Sequence, residues 1–186
     1  MGLTKALLEF AEGETFLRRL ASVFASSGCE VLAVTGHQAA GIAAAHADLT
    51  CVENAGWDQG QLSSARVGIA RALAAKASVV LVHPVDAPAI RAATVRILLS
   101  HCSARRATVP AYLGKPGHPV LLPRPCAEEV LSLGSARSLE AALDSIGLDT
   151  VPVDDPGVVL NLNTPEDYQR AFGRPPRELM PAGPSP

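Results

Sequence analysis

Short apolar runs alternate with amphipathic stretches along most of this chain, and the alternation predicts strands and helices in turn. Phe16, Leu17, Leu20, Val23 and Phe24 repeat at helical spacing, and Gly28 stands where that helix would end. Val31 to Val34 follows as a continuous apolar run, the mark of a strand buried on both faces. An Ala-rich helix over Ala39 to Ala47 and a brief strand from Leu49 to Val52 come next. Ser63 and Ser64 can cap a helix running to about Ala75, and Val79 to Val82 is a second buried strand. The pattern then gives a helix from Ile90 to Ser103 and strands at Thr108 to Leu113 and Pro119 to Leu122. Helices at Pro125 to Leu133 and Ser138 to Ile146 lead to strands at Thr150 to Val153 and Val158 to Leu162. A last helix opens at Thr164, with Pro165 at its first position and two acids in its first turn. From Gly173 the chain is rich in Pro and Gly and reads as a disordered tail, leaving one domain over residues 1–172.

Strand and helix alternating at this spacing predict a three-layer α/β/α fold of Rossmann-like type around a mostly parallel sheet. Such sheets bind ligands beyond the carboxyl ends of their strands, so the segments after each apolar run are the places to look for chemistry.

Composition narrows the classes. Aromatics are only 4% against 48% hydrophobic residues, so Ala, Val, Leu and Ile must build the core. A net charge of -2 offers no basic footprint for nucleic acid or an anionic membrane. No apolar run reaches the roughly 20 residues that span a bilayer, and no signal segment opens the chain, so a cytoplasmic location is expected. Cys29, Cys51, Cys102 and Cys126 stand far apart without metal-ligand spacing, as reduced, mostly buried thiols would.

Five segments carry candidate chemistry. Lys5 precedes the first helix and could offer a point charge to phosphate oxygens. The polar, Gly-rich Asn54 to Ser64 leads into a helix N-terminus, where backbone N–H groups suit an anion and an Asn amide can read a base edge. Asp86 follows a buried strand directly, at the sheet's carboxyl edge, where a carboxylate can hold Mg²⁺ or simply cap the next helix. His83 just before it suits packing or hydrogen bonding better than ligation. Gly114 and Gly117 would let the backbone approach a ligand closely, and His118 sits between Gly117 and Pro119. Asn161 and Asn163 alternate on the expected strand and so would point the same way.

In order and spacing these segments resemble the MobA-like NTP transferases, the family of the molybdenum-cofactor cytidylyl- and guanylyltransferases. Met1-Gly2-Leu3-Thr4-Lys5-Ala6-Leu7-Leu8 resembles the M-G-x-x-K-x-L-L that follows the family's triphosphate loop, L-A-A-G-x-S-x-R. That loop and the strand before it do not appear ahead of Met1. Asn54 to Ser64 is similar to N-x-x-W-x-x-G-M-x-S-S, with Gln61 in place of Met, and Asp86-Ala87-Pro88 matches D-x-P. Gly114 to Leu121 resembles the cytidylyl-type G-x-x-G-H-P-V-L, whereas Asn161-Leu162-Asn163-Thr164-Pro165-Glu166-Asp167 resembles the guanylyl-type N-x-N-T-P-E-D.

The resemblance implies a Mg²⁺-dependent transfer of CMP or GMP from an NTP to a phosphorylated acceptor, molybdopterin first, with pyrophosphate leaving. It assigns triphosphate contact to Lys5, nucleotide seating to Asn54, Gly60, Ser63 and Ser64, and metal to Asp86, Asn163 and Asn161. Acceptor binding falls to Gly117, His118 and Pro119. Molybdoenzymes or their chaperones are the implied protein partners. The mixed motifs leave the base open between CTP and GTP. Two rivals stand beside this reading: a truncated, non-catalytic binding protein of the same fold, and a nucleotidyltransferase acting on a sugar or alcohol phosphate. The absent first strand would lie between Val31 to Val34 and Val79 to Val82, so those strands should pair with each other or leave a one-strand gap.

Overall fold

A computed structural model describes residues 2–133 and 138–179. The first ordered element is a 3₁₀ turn, Lys5–Leu7, which the sequence pattern reads as loop. A short hairpin follows, β1 (Glu9–Ala11) and β2 (Glu14–Thr15), also unforeseen because its strands are too short to show alternation. Helix α1 (Phe16–Ala25) starts where Thr15 accepts the backbone N–H of Arg18, and it buries Phe16, Leu20, Val23 and Phe24. Then come β3 (Leu32–Thr35), α2 (Ala39–Ala45), β4 (Thr50–Glu53), a 3₁₀ turn at Trp57–Gln59 and α3 (Gln61–Ala74). Helix α3 takes Gly60 as its N-cap, so Ser63 and Ser64 lie inside the first turn and not ahead of it. The chain continues through β5 (Val79–Val82), α4 (Ala92–Ser100), β6 (Ala107–Tyr112), β7 (Lys115–Pro116) and β8 (Val120–Pro123). It closes with α5 (Arg124–Ser132), α6 (Leu139–Ile146), β9 (Leu148–Pro152), a 3₁₀ turn at Pro156–Val159 and α7 (Pro165–Phe172).

The architecture is mixed α/β with a mostly parallel sheet. Strand β3 pairs in parallel with β4, and β6 with β9, while β8 runs antiparallel between β5 and β6. Strands β3 and β5 are not paired to each other, so among the described residues each keeps one edge without a ladder partner. The two edges nevertheless share their helical cover. Ile69 of α3 packs with Val80 while its Gly68 abuts Val34, and the cluster around Leu20, Val23 and Phe24 of α1 takes in both Val31 and Leu81. Of the two expected outcomes, the unpaired one holds.

Two closing segments differ from expectation. Val158 to Leu162 is not a strand: Asp155 accepts the N–H of Gly157, Pro156 sets the first turn, and a 3₁₀ helix forms over Pro156–Val159, with no regular element from Leu160 to Leu162. Arg174 to Leu179, assigned by composition to a tail, runs back along the N-terminal segment. There Glu9 N–H donates to Arg177 O and Leu179 N–H to Leu7 O, and Arg174 meets the buried Glu9 carboxylate. The remainder of that tail and Met1 lie outside the described residues. No described helix is long and apolar enough to cross a membrane, and all four cysteines are free.

Candidate functional site

Three of the sequence-predicted residues meet at one point beyond the carboxyl end of β5. Lys5 Nζ donates to Asp86 Oδ2 at 2.8 Å and to Asn163 Oδ1 at 2.7 Å. Each partner arrives by a different route. The Lys5–Leu7 turn is anchored by Ala6 and Leu7, which bury against Ile42, Leu17 and Val85. Asp86 follows the β5 strand, and its own backbone carbonyl accepts the N–H of Leu162 at 2.8 Å. Leu162 is buried with Leu8, Phe16 and Tyr168, so this bond fastens the closing segment beside Asp86 and puts Asn163 next to it. Helix α7 then starts under a reciprocal cap between Thr164 and Asp167. Asp86 is not the cap of α4, which begins six residues later at Ala92. Asn161 is exposed and joins none of the described hydrogen bonds of this cluster.

The donor set suits a divalent hard cation. A carboxylate oxygen and an amide carbonyl oxygen already converge on one positive charge, the Lys5 ammonium, at hydrogen-bond distances. Among the described residues no group of three His, Cys, Asp or Glu gathers anywhere. Phosphate oxygens and water would therefore complete the coordination of an ion held here, the usual situation for Mg²⁺.

His118 lies along the same site. Gly117 packs so tightly on the Val158 carbonyl that a Cβ would come within 2.0 Å of that oxygen, so only glycine fits. The close approach is to the protein's own backbone, not to a ligand. His118 N–H donates to the same Val158 oxygen at 2.8 Å, and Pro119 is buried. The His118 ring meets His83 edge-on, 6.1 Å between centroids. Burial lowers the pKa of His118, opposed by the nearby Asp86 carboxylate. Burial also pushes His83 down to about 4, against the carbonyl of Ala87, whose oxygen lies 2.8 Å from His83 Nε2. With Phe24 packed edge-on at 5.4 Å, His83 is a neutral packing residue, as its position suggested. The Nδ1 atoms of both histidines are buried without a described partner.

The Asn54 to Ser64 segment is built differently from the sequence expectation. The Asn54 amide does not face outward. Its Nδ2 donates to Ser63 Oγ at 2.8 Å and to Ser64 Oγ at 3.0 Å, and its Oδ1 accepts the N–H of Gly56 at 3.0 Å. Ser63 Oγ in turn donates to Gly60 O at 2.8 Å. The side chains of Asn54, Ser63 and Ser64 and the Gly60 carbonyl thus bond to one another and hold the loop together.

Sequence reasoning missed four contributors. Gly36, His37 and Gln38 follow β3 at the same sheet edge, and Thr4 Oγ1 donates to Gln38 Oε1. The rule about carboxyl ends could have flagged them. Asp155, buried, accepts from Arg91 N–H at 2.9 Å, Thr94 Oγ1 at 2.6 Å and Gly157 N–H at 3.0 Å. It ties the start of α4 to the turn that carries Val158.

Comparison with known proteins agrees with this fold. Residues 1–151 match the MobA-like NTP transferase domain. The chain is 25% identical over 182 residues to the molybdenum cofactor cytidylyltransferase of Escherichia coli K12, covering 94% of this chain and 90% of that one. A Mycobacterium tuberculosis H37Rv protein, solved in complex with manganese, is 26% identical with a TM-score of 0.76, covering 93% of this chain and 94% of that one. A nucleotidyl transferase from Methanothermobacter thermautotroptrophicus shares the fold with a TM-score of 0.76 at 24% identity, covering 92% of this chain and 84% of that one.

Proposed function

The chain belongs to the MobA-like NTP transferase family, and from that premise we propose that it moves a CMP or GMP group from an NTP to the phosphate of molybdopterin. The observation that carries the reading is the convergence of Lys5, Asp86 and Asn163 at the carboxyl edge of the sheet. An acceptor phosphate oxygen attacks the α-phosphorus in line. The new P–O bond forms as the bond to the β-phosphate bridging oxygen breaks, and pyrophosphate leaves with the electron pair. Such a transfer needs positioning and charge neutralisation more than covalent help from the protein.

Asp86 and Asn163 would hold Mg²⁺, with Asn161 as an outer neighbour, and the ion would neutralise phosphate charge and orient the triphosphate there. Lys5 exchanges its present partners for phosphate oxygens. His118, whose pKa burial lowers against the opposing Asp86 carboxylate, lines the acceptor side and offers it a hydrogen bond. The loop from Asn54 to Ser64 contributes a rigid wall beside the nucleotide.

The test is pyrophosphate release with CTP, GTP and ATP in the presence of molybdopterin, for the wild type and for Asp86→Ala. The expected result is Mg²⁺-dependent release with CTP or GTP and loss of at least 100-fold in the variant, on the order of one displaced catalytic contact. Turnover within a few-fold in Asp86→Ala removes the metal assignment. Absence of release with every nucleotide favours the non-catalytic rival.

A further inference from the structure

We infer that the exposed indole of Trp57, propped on His37 at the carboxyl ends of β3 and β4, is the stacking platform for the base of the bound nucleotide; this rests on the nucleotide reading above.

The chain has one tryptophan, and it is not in the core. Trp57 is 47% exposed, the most exposed of the Phe, Tyr and Trp rings. It is nevertheless held firmly. Its backbone N–H donates to Asn54 O at 3.2 Å and its backbone carbonyl accepts the N–H of Gly60 at 3.3 Å. The root of the side chain rests on Gly36, where a Cβ would fall 2.3 Å from Trp57 Cβ and 2.6 Å from Cγ. Any other residue at Gly36 would push the ring away. The His37 ring stands 5.3 Å from the indole, tilted at 53°, and buttresses one side. The Asn54 amide network fixes the loop from beneath. An apolar ring left in water yet seated on Gly36, flanked by His37 and carried on a loop that Asn54 fixes is organised for a planar partner.

Continuity with the phosphate site selects that partner. Lys5 holds Asp86, and the adjacent Thr4 hydroxyl bonds Gln38. Gln38 stands next to His37, and His37 against Trp57. These contacts run along one edge of the sheet in the order a nucleotide needs, phosphates at Lys5 and base at Trp57. Stacking on an aromatic face is tolerant because every base has a π-surface. Asn54, the residue placed to read a base edge, has its amide fully engaged within the loop. The platform therefore supplies affinity for CTP and GTP alike and little choice between them.

Because Trp57 is the sole indole, its intrinsic fluorescence reports on the site directly. Wild type, Trp57→Ala and Trp57→Phe are titrated with CTP, GTP and inorganic triphosphate, with affinities measured independently by calorimetry. CTP and GTP should quench the wild type, and triphosphate should bind without comparable quenching. Trp57→Ala should weaken both nucleotides about tenfold, the scale of one base–aromatic stack, and leave triphosphate unchanged. Trp57→Phe should recover part of the loss. Equal nucleotide affinity in wild type and Trp57→Ala overturns the platform while leaving the nucleotide reading intact, and so does equal quenching by triphosphate. A wild type that binds neither nucleotide nor triphosphate ends both. Thermal melting of Trp57→Ala, expected to match wild type because the ring is exposed, separates loss of stacking from loss of fold.

Discussion

Replacing Lys5 with Met should make the protein a better binder of Mn²⁺ alone and a poorer binder of nucleotide. The Lys5 ammonium now sits where the Asp86 and Asn163 oxygens converge, so a cation entering there has to displace it. Two charge-assisted bonds are involved, and hydrogen bonds to charged groups contribute about 1.5–3 kcal/mol in protected settings. Here the Lys5 side chain is 28% exposed and that of Asp86 13%, which screens the pair toward the lower end. About 1.5 kcal/mol remains as the cost of evicting Lys5, close to tenfold in affinity. Methionine keeps most of the side-chain bulk without the charge, and the burial of Ala6 and Leu7 still anchors the turn. Free Mn²⁺ measured by its paramagnetic resonance, titrated against both proteins without nucleotide, should show about tenfold tighter binding in Lys5→Met. Nucleotide binding without metal should weaken by a similar factor, since one phosphate partner is gone. Metal affinity in Lys5→Met equal to or below the wild type would refute the idea that the ammonium and the metal compete for these oxygens.

Asp155→Ala should strand two buried donors, on Thr94 and Gly157, and the half-buried N–H of Arg91; at about 1–3 kcal/mol for each buried donor, a loss of roughly 2–6 kcal/mol is expected, read by urea unfolding, and a loss under 1 kcal/mol would contradict the packing argument. Acidification should destabilise the fold between pH 6.5 and 4. His83 in the unfolded chain takes up a proton below its ordinary 6.5, whereas in the fold burial holds its pKa near 4, so folded protein binds fewer protons and stability falls with pH. This contributes at most about 3 kcal/mol, and a His83→Phe variant with the same slope of urea midpoint between pH 7 and 5 would remove the assignment. In β3 and β5, the amides facing the unpaired edges should exchange with deuterium far faster than those of β6, which is flanked on both sides. Uniform protection across Leu32–Thr35, Val79–Val82 and Ala107–Tyr112 would mean that those edges are satisfied.

What the sequence determined by itself was local. Apolar runs at Val31 to Val34 and Val79 to Val82 declare strands because four consecutive aliphatic side chains suit a strand between two layers, although here only Ala33 and Val80 are buried. Thr164 and Pro165 start α7 with chemistry confined to one turn, and the cap is formed as expected. Asp86 was legible for the same reason: it follows a strand directly, and strand ends in such sheets line up along one edge. The tertiary structure decided what is brought to that edge from afar. Lys5 and Asn163 lie 158 residues apart in sequence and share one contact because the Leu162 N–H is claimed by Asp86 O. Nothing in residues 158–162 announces that bond, nor that Asp155 turns the expected strand into a 3₁₀ helix and leaves Asn161 outside the cluster. The inward amide of Asn54, the seat of Trp57 on Gly36 and the return of Arg174 to Leu179 along Leu7 to Glu9 have the same origin. A side chain's partners are fixed by which surfaces the packed layers bring together, and periodicity along the chain carries no record of that.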